Sequence, residues 1–208
     1  MKTRSELKRQ AILTSAKQLF LNEGVANTSM DKVAQAAQVS KRTVYNHFES
    51  KEVLVIALLS DLWQRALGVE ILDQITELDI QQQLQHLLLA EIQILGEAEY
   101  LELSKVAFGH YLFNTEKLQE QAAKFQLNET ALFKWLEHQQ QQQTLSIENV
   151  EQAAEQLHSL VKGQCFWPQL IGIKPNLNHT EMLQLSRDTT ALFLSRYLKI
   201  DTSIPVVK

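Results

Sequence analysis

The chain has 208 residues, 45% of them apolar and 21% charged, with 6 Gly, 3 Pro and 1 Cys. This composition excludes disordered, collagen-like and mucin-like chains, and the scarcity of turn residues argues against an all-β sandwich. Net charge is −4, but residues 1–60 hold nine Lys/Arg and five Asp/Glu (+4), whereas residues 61–208 hold eleven and nineteen (−8). A basic head on an acidic body points to an anionic partner for the head alone. The single cysteine, Cys165, excludes a disulfide scaffold. The longest apolar run, Val53–Leu59, has seven residues, against roughly 18 or more for a spanning helix. Lys8, Arg9 and Lys17 interrupt any signal-peptide core, so a cytoplasmic protein without membrane contact is expected.

Helical periodicity runs through nearly the whole chain, and an all-α fold is expected. From Ser5 to Glu23, Ile12, Ala16, Leu19 and Phe20 share one face, and Gly24 supplies the stop. Thr28, with Asp31 three residues on, is expected to open a second, short helix carrying Met30, Val33, Ala34 and Ala37. Ser40 caps a third, which buries Val44 and Phe48. A fourth starts at Ser50 and is expected to run into the 70s through Leu54, Leu58, Leu62, Trp63 and Leu67. About 25 residues at ~1.5 Å each would make it nearly ~40 Å long, enough to act as a lever between two domains.

Further helices are expected at about 80–95, 98–112, 116–142, 147–166 and 179–199. Ser146 reads as the cap of the fourth of these, and Asn178–Thr180 as the start of the last. Gly172–Asn178, with Pro175, is the clearest loop. The division expected is 1–50 for the head and 51–208 for the body.

Residues 28–48 hold the informative pattern. Two short helices are separated only by Gln38 and Val39, and the second is too short to persist unless it is packed on neighbours. Val33, Ala37, Val39, Val44 and Phe48 supply that packing. The outer face then carries Lys41, Arg42, Thr43, Tyr45, Asn46 and His47. Two cations beside hydroxyl, amide and imidazole groups are the kinds of side chain that read phosphates and base edges. A short helix presenting them over a crossing helix is the geometry of a helix-turn-helix.

The stretch RQAILTSAKQLFLNEGVANTSMDKVAQAAQVSKRTVYNHFESKEVL resembles the N-terminal DNA-binding domain of the TetR family of transcriptional regulators. Ile12, Ala16 and Phe20, Gly24, Thr28-Ser29, Val33-Ala34, Val39-Ser40, Thr43-Val44-Tyr45, Phe48 and Lys51-Glu52 carry the resemblance, in order and without gaps. One position departs: the family usually has Gly where this chain has Gln38, at a turn that often needs positive φ, and a non-Gly residue there costs of order 1 kcal/mol.

The resemblance implies a three-helix DNA-binding head followed by a larger helical ligand-binding and dimerisation body, and a repressor that leaves a near-palindromic double-stranded operator when a small ligand binds; the scarcity of Asp and Glu among the cavity candidates named below points to a largely apolar one. It implies DNA contacts from Thr28, Ser29, Ser40, Lys41, Arg42, Thr43, Tyr45, Asn46, His47 and Lys51. Ser29 and Lys51 lie at helix N-termini suited to phosphate. Tyr45 and His47 match positions that grip the backbone, while Lys41, Arg42 and Thr43 match those that enter the major groove. Arg42 suits guanine through bidentate bonds to O6 and N7.

Past residue 60, the stretch from Ile147 to Gly172 resembles the AefR-like branch. A homodimer through helices at about 147–166 and 179–199 is implied. Val150, Ala153, Ala154, Leu157, Leu160 and Val161 on one helix, with Met182, Leu185, Leu192, Phe193 and Tyr197 on the other, could pack a four-helix bundle. A ligand cavity is expected among Trp63, Leu67, Ile92, Phe108, Tyr111, Leu112, Phe133, Trp135, Phe166 and Trp167. His86, His110, His138, His158 and His179 form no metal-ligand spacing, and no phosphate loop or nucleophile motif is present. No metal, cofactor or enzymatic activity is therefore expected. A body that contacts a protein partner in place of a small ligand is the alternative.

Overall fold

The computed structural model of the chain describes residues 3–111 and 130–199. Among these, the regular structure is helical apart from an isolated antiparallel bridge between Leu145 and Leu198. In chain order the elements are α1 (Arg4–Glu23), α2 (Met30–Ala36), α3 (Lys41–His47), α4 (Lys51–Leu67) and a 3-10 turn, Val69–Gln74. They continue with α5 (Ile80–Gly96), α6 (Ala98–Tyr111), α7 (Ala131–Gln141), α8 (Val150–Cys165), the one-turn α9 (Trp167–Leu170) and α10 (His179–Tyr197). The described residues pack as two compact units, 3–63 with 97–111 and 64–96 with 130–199. No described helix is long and apolar enough to cross a membrane.

In the first unit, α1 starts in a capping box between Thr3 and Glu6 and buries Ile12, Leu13, Ala16 and Phe20. Gly24 ends it at φ 81°, a backbone conformation that favours glycine. Val33 and Ala34 of α2, Val44 of α3 and Leu54 and Val55 of α4 complete the core of the unit. Lys17 of α1 pairs with Glu99 of α6 at 2.9 Å, and the rings of Trp63 and Tyr100 lie 6.2 Å apart.

In the second unit, α5 is the central element, packed by α7, α8 and α10. Its buried stripe is Leu84, Leu87, Leu88, Glu91, Ile92 and Leu95, the i, i+3, i+4, i+7 pattern of a core-facing helix.

Four expectations change. The cap of α2 is Ser29, whose Oγ accepts from Lys32 N, while Thr28 Oγ1 donates to the carbonyl of Gly24. The helix α4 stops at Leu67, so its 17 residues span only about 25 Å at ~1.5 Å each. Gly68 breaks it: a Cβ there would lie 2.9 Å from the carbonyl oxygen of Gln64 and 2.5 Å from Glu70 Oε2. The cap of α8 is Asn149, whose Oδ1 accepts from Gln152 N. Ser146 is held elsewhere, its N–H donating to Tyr197 O at 2.7 Å.

The last change concerns the dimerisation stripes. Val150, Ala153, Ala154, Leu157, Val161, Leu185 and Phe193 are buried within the chain itself, because the same face of each helix packs on its own neighbours. Leu192 is 57% exposed and Leu160 half-buried. Of the helix expected at 116–142, only Ala131–Gln141 lies within the described residues.

Candidate functional site

The turn between α2 and α3 decides how α3 is presented. Gln38 N–H donates to Gln35 O and Val39 N–H to Ala34 O, a pair of bonds that closes the end of α2 as a Schellman motif. That motif needs a left-handed residue after the helix, and Gln38 supplies it at φ 53°. An L side chain is strained there, so Gln38→Gly is expected to stabilise the head by about 1 kcal/mol. Urea unfolding of the two chains side by side checks the sign, and a loss of stability would show that the Gln38 side chain does something useful.

Ser40 caps α3, its Oγ accepting from Thr43 N at 3.1 Å and lying 2.8 Å from Thr43 Oγ1. Val44 and Phe48 point into the core, and the Arg9 guanidinium sits 5.3 Å from the Phe48 ring centroid. The opposite face presents Lys41, Arg42, Asn46 and Tyr45, the last 50% exposed, with Thr43 and His47 half-buried beside them. Lys41 pairs with Asp31 of α2 in an exposed ion pair, which contributes little stability and gives way readily to a stronger anion. Ser29 is exposed at the start of α2.

Two expected DNA contacts sit elsewhere. Thr28 is only 2% exposed, its hydroxyl committed to Gly24. Lys51 turns inwards: its Nζ donates to the carbonyls of Val25 (2.8 Å), Thr28 (3.3 Å) and Ala26 (3.4 Å). The α1–α2 connection leaves carbonyls without helical partners, and the ammonium satisfies them from α4. In this arrangement it clamps the head from within.

The expected cavity residues fall in both units. Trp63 and Phe108 belong to the first unit. Ile92, Phe133, Trp135 and Phe166 are core residues of the second, where Trp135 Nε1 donates to Gln83 Oε1 at 2.7 Å. Trp167 is 43% exposed on α9, which buries Gln169 and Leu170 instead. The side chain of Tyr111, and Leu112, lie outside the described residues. Leu67 borders a recess of about 10 Å³, walled also by Ile71, Leu87, Glu91, Leu132 and His158.

The sequence reading missed the polar pair in that recess. Glu91 of α5 is 1% exposed, and its Oε1 lies 2.6 Å from Nδ1 of His158 on α8, also buried. The signal was available: Glu91 occupies an apolar-stripe position between Leu88 and Leu95, and His158 one between Ala154 and Val161. Nearby Cys165 is buried, and its thiol is pushed up to about 12, by burial first and by the Glu91 charge second. It therefore stays protonated and a poor nucleophile.

A second feature of this unit is an open groove of about 600 Å³ between α8 and α10, lined by Gln152, Gln156, Leu160, Leu192, Arg196 and Tyr197 among others. Across it Tyr197 Oη donates to Gln156 Oε1 at 2.7 Å.

Residues 12–58 match the family described as bacterial regulatory proteins, tetR family. Residues 82–199 match the AefR-like transcriptional repressor, C-terminal domain. The HTH-type transcriptional regulator UidR of Escherichia coli (strain K12) is 34% identical over 68 residues, 33% of this chain and 35% of that protein. The chain thus matches about a third of this relative's length. A solved TetR family transcriptional regulator from Pseudomonas syringae pv. tomato str. DC3000 is 30% identical, covers 96% of this chain and 100% of its own, and superposes with a TM-score of 0.67. FadR of Thermus thermophilus, a repressor solved with lauroyl-CoA, shares the fold at 18% identity and a TM-score of 0.67, over 95% of this chain and 98% of its own. The helix-turn-helix geometry of α2 and α3 and these matches together make the chain a DNA-binding transcriptional regulator of the TetR family with an AefR-like C-terminal domain.

Proposed function

We propose that the chain is a homodimeric repressor which leaves its operator when a small, largely apolar ligand binds the body. Residues 1–50 carry the DNA contacts and 51–208 the ligand and the dimer seam. The observation that carries the reading is α3 itself: Val44 and Phe48 anchor one face, and the other offers Lys41, Arg42, Tyr45 and Asn46 to solvent. Arg42 reads a guanine, Lys41 and Thr43 enter the groove beside it, and Tyr45 and His47 hold the backbone. Ser29 and Ser40, at exposed helix starts, take phosphates.

Two copies of α3 must then fall on successive major grooves, about 34–36 Å apart or a multiple, which makes the operator near-palindromic. Support for apolar contacts to the ligand comes from the aliphatic walls of the recess beside Leu67 and from the lauroyl chain of the lauroyl-CoA solved with the Thermus relative.

Arg42→Ala is expected to cost ~1–3 kcal/mol of operator affinity and to relax preference at one base pair. Gel-shift titration against single-base operator variants measures both effects. Wild-type binding by the mutant would mean that α3 is not the reading helix. Ligand release has its own test, because coupling is reciprocal: saturating operator must weaken ligand binding by the factor by which ligand weakens operator, typically 5–150-fold. Calorimetry with and without operator compares the two.

A further inference from the structure

The Glu91–His158 pair leaves one buried polar atom unused. Glu91 Oε1 faces His158, but Oε2 has no hydrogen-bond partner among the described residues. A buried carboxylate oxygen is a strong acceptor and costly to leave unmatched. It borders the recess of about 10 Å³, a volume that suits a single water or one hydroxyl group. The remaining walls, Leu67, Ile71, Leu87, Ala131 and Leu132, are aliphatic. Thr130, the other polar neighbour, already accepts from Phe133 N as the cap of α7.

We infer that Glu91 Oε2 is the anchor of the effector, and that the effector is a neutral aliphatic molecule carrying a hydroxyl group that donates to it. The inference rests on the ligand-responsive reading above and sharpens it: the ligand is not purely apolar. His158 already faces the carboxylate, so one acceptor remains in an apolar frame. A hydroxyl satisfies that acceptor without bringing a second charge out of water, whereas an ammonium would have to lose its hydration. Aliphatic walls favour an alkyl chain, which packs between Leu67, Ile71 and Leu87 once the hydroxyl is seated. The recess holds only the hydroxyl, so the chain enters where those side chains part, and binding selects a form of the unit opened well beyond this recess.

The test is calorimetry on the full chain with three matched probes: 1-hexanol, hexyl methyl ether and hexylammonium. The ether keeps the oxygen and the chain but has no proton to donate. 1-Hexanol is expected to bind roughly 10-fold more tightly than the ether, in line with one hydrogen bond to a charged acceptor, and more tightly than hexylammonium. Glu91→Gln, close in shape, should shrink the alcohol-to-ether ratio to about 3-fold or less as the charged acceptor becomes an amide. If that variant does not fold, the wild-type ratio alone decides. Equal affinity for alcohol and ether overturns the inference, as does tighter binding of hexylammonium or binding of none of the three.

Operator release is read separately, on an operator selected in vitro. Release by a compound without a hydroxyl keeps the ligand-responsive reading and overturns the anchor. Binding of 1-hexanol that leaves operator affinity unchanged keeps the hydroxyl site and overturns release.

Discussion

A Leu192→Glu chain is expected to sediment as a monomer at micromolar concentration and to lose nearly all operator affinity. Leu192 is 57% exposed on α10 and lines the groove with half-buried Leu160 of α8, beside Phe193 and Tyr197. In a two-fold interface each substitution occurs twice. An uncompensated buried charge costs about 3–5 kcal/mol, which exceeds what a modest seam supplies. Because Leu192 faces solvent in the single chain, the substituted chain should keep its helical circular dichroism. A monomer holds one half-site only, so the loss of DNA binding follows from geometry and not from damage to α3. Sedimentation of the wild-type chain as a monomer would overturn the dimer, and of the Glu variant as a dimer would place the seam elsewhere.

Lys51→Met is expected to destabilise the head by about 2–3 kcal/mol, the range for hydrogen bonds to a charged group whose partners are then left partly buried. The ammonium holds three carbonyls of the α1–α2 connection, so its removal loosens the segment from which Ser29 and α2 start. Operator affinity falls by the fraction of heads no longer competent. The dependence of affinity on salt is the discriminating measurement. A lysine that touches phosphate contributes to the slope of log K against log salt, and losing it flattens that slope by nearly one. With Lys51 spent inside the head, the slope should stay that of wild type while the unfolding midpoint drops. The reverse result, a flatter slope at unchanged stability, would return Lys51 to the DNA face.

What the sequence disclosed is what depends on neighbours along the chain. Ser40 as a cap, Val44 and Phe48 as the inner face of α3, and Gln38 as the strained turn residue are all set within a few positions. The caps shift by one and three positions: Thr28 gives way to Ser29, its hydroxyl held by the carbonyl of Gly24 four residues back, and Ser146 to Asn149, its backbone N–H paired with Tyr197 across the chain. Gly68 is a visible stop, masked by an apolar spacing that continues through Leu67 towards Ile71. The rest was hidden by distance. Lys51 reaches carbonyls 23 to 26 residues back, and Glu91 meets His158 across 67 residues. No local pattern announces either, although a charged residue inside an apolar stripe marks the position where a distant partner should be sought.

The bridge between Leu145 and Leu198 has a consequence in time. It is flanked by bonds from Ser146 N–H to Tyr197 O and from Lys199 N–H to Thr144 O, a few extended residues joined across more than fifty positions in an otherwise helical chain. Helices form in about a microsecond or less, whereas distant pairings wait for a long loop to close. The clasp thus forms after the helices it joins, and it brings the end of α10 beside the approach to α8. Folding of the single chain and meeting of two chains should therefore appear as separate kinetic phases. The first is independent of protein concentration and sets the two helix ends; the second, in the proposed dimer, quickens with concentration, since clasped chains would present both sides of the proposed seam.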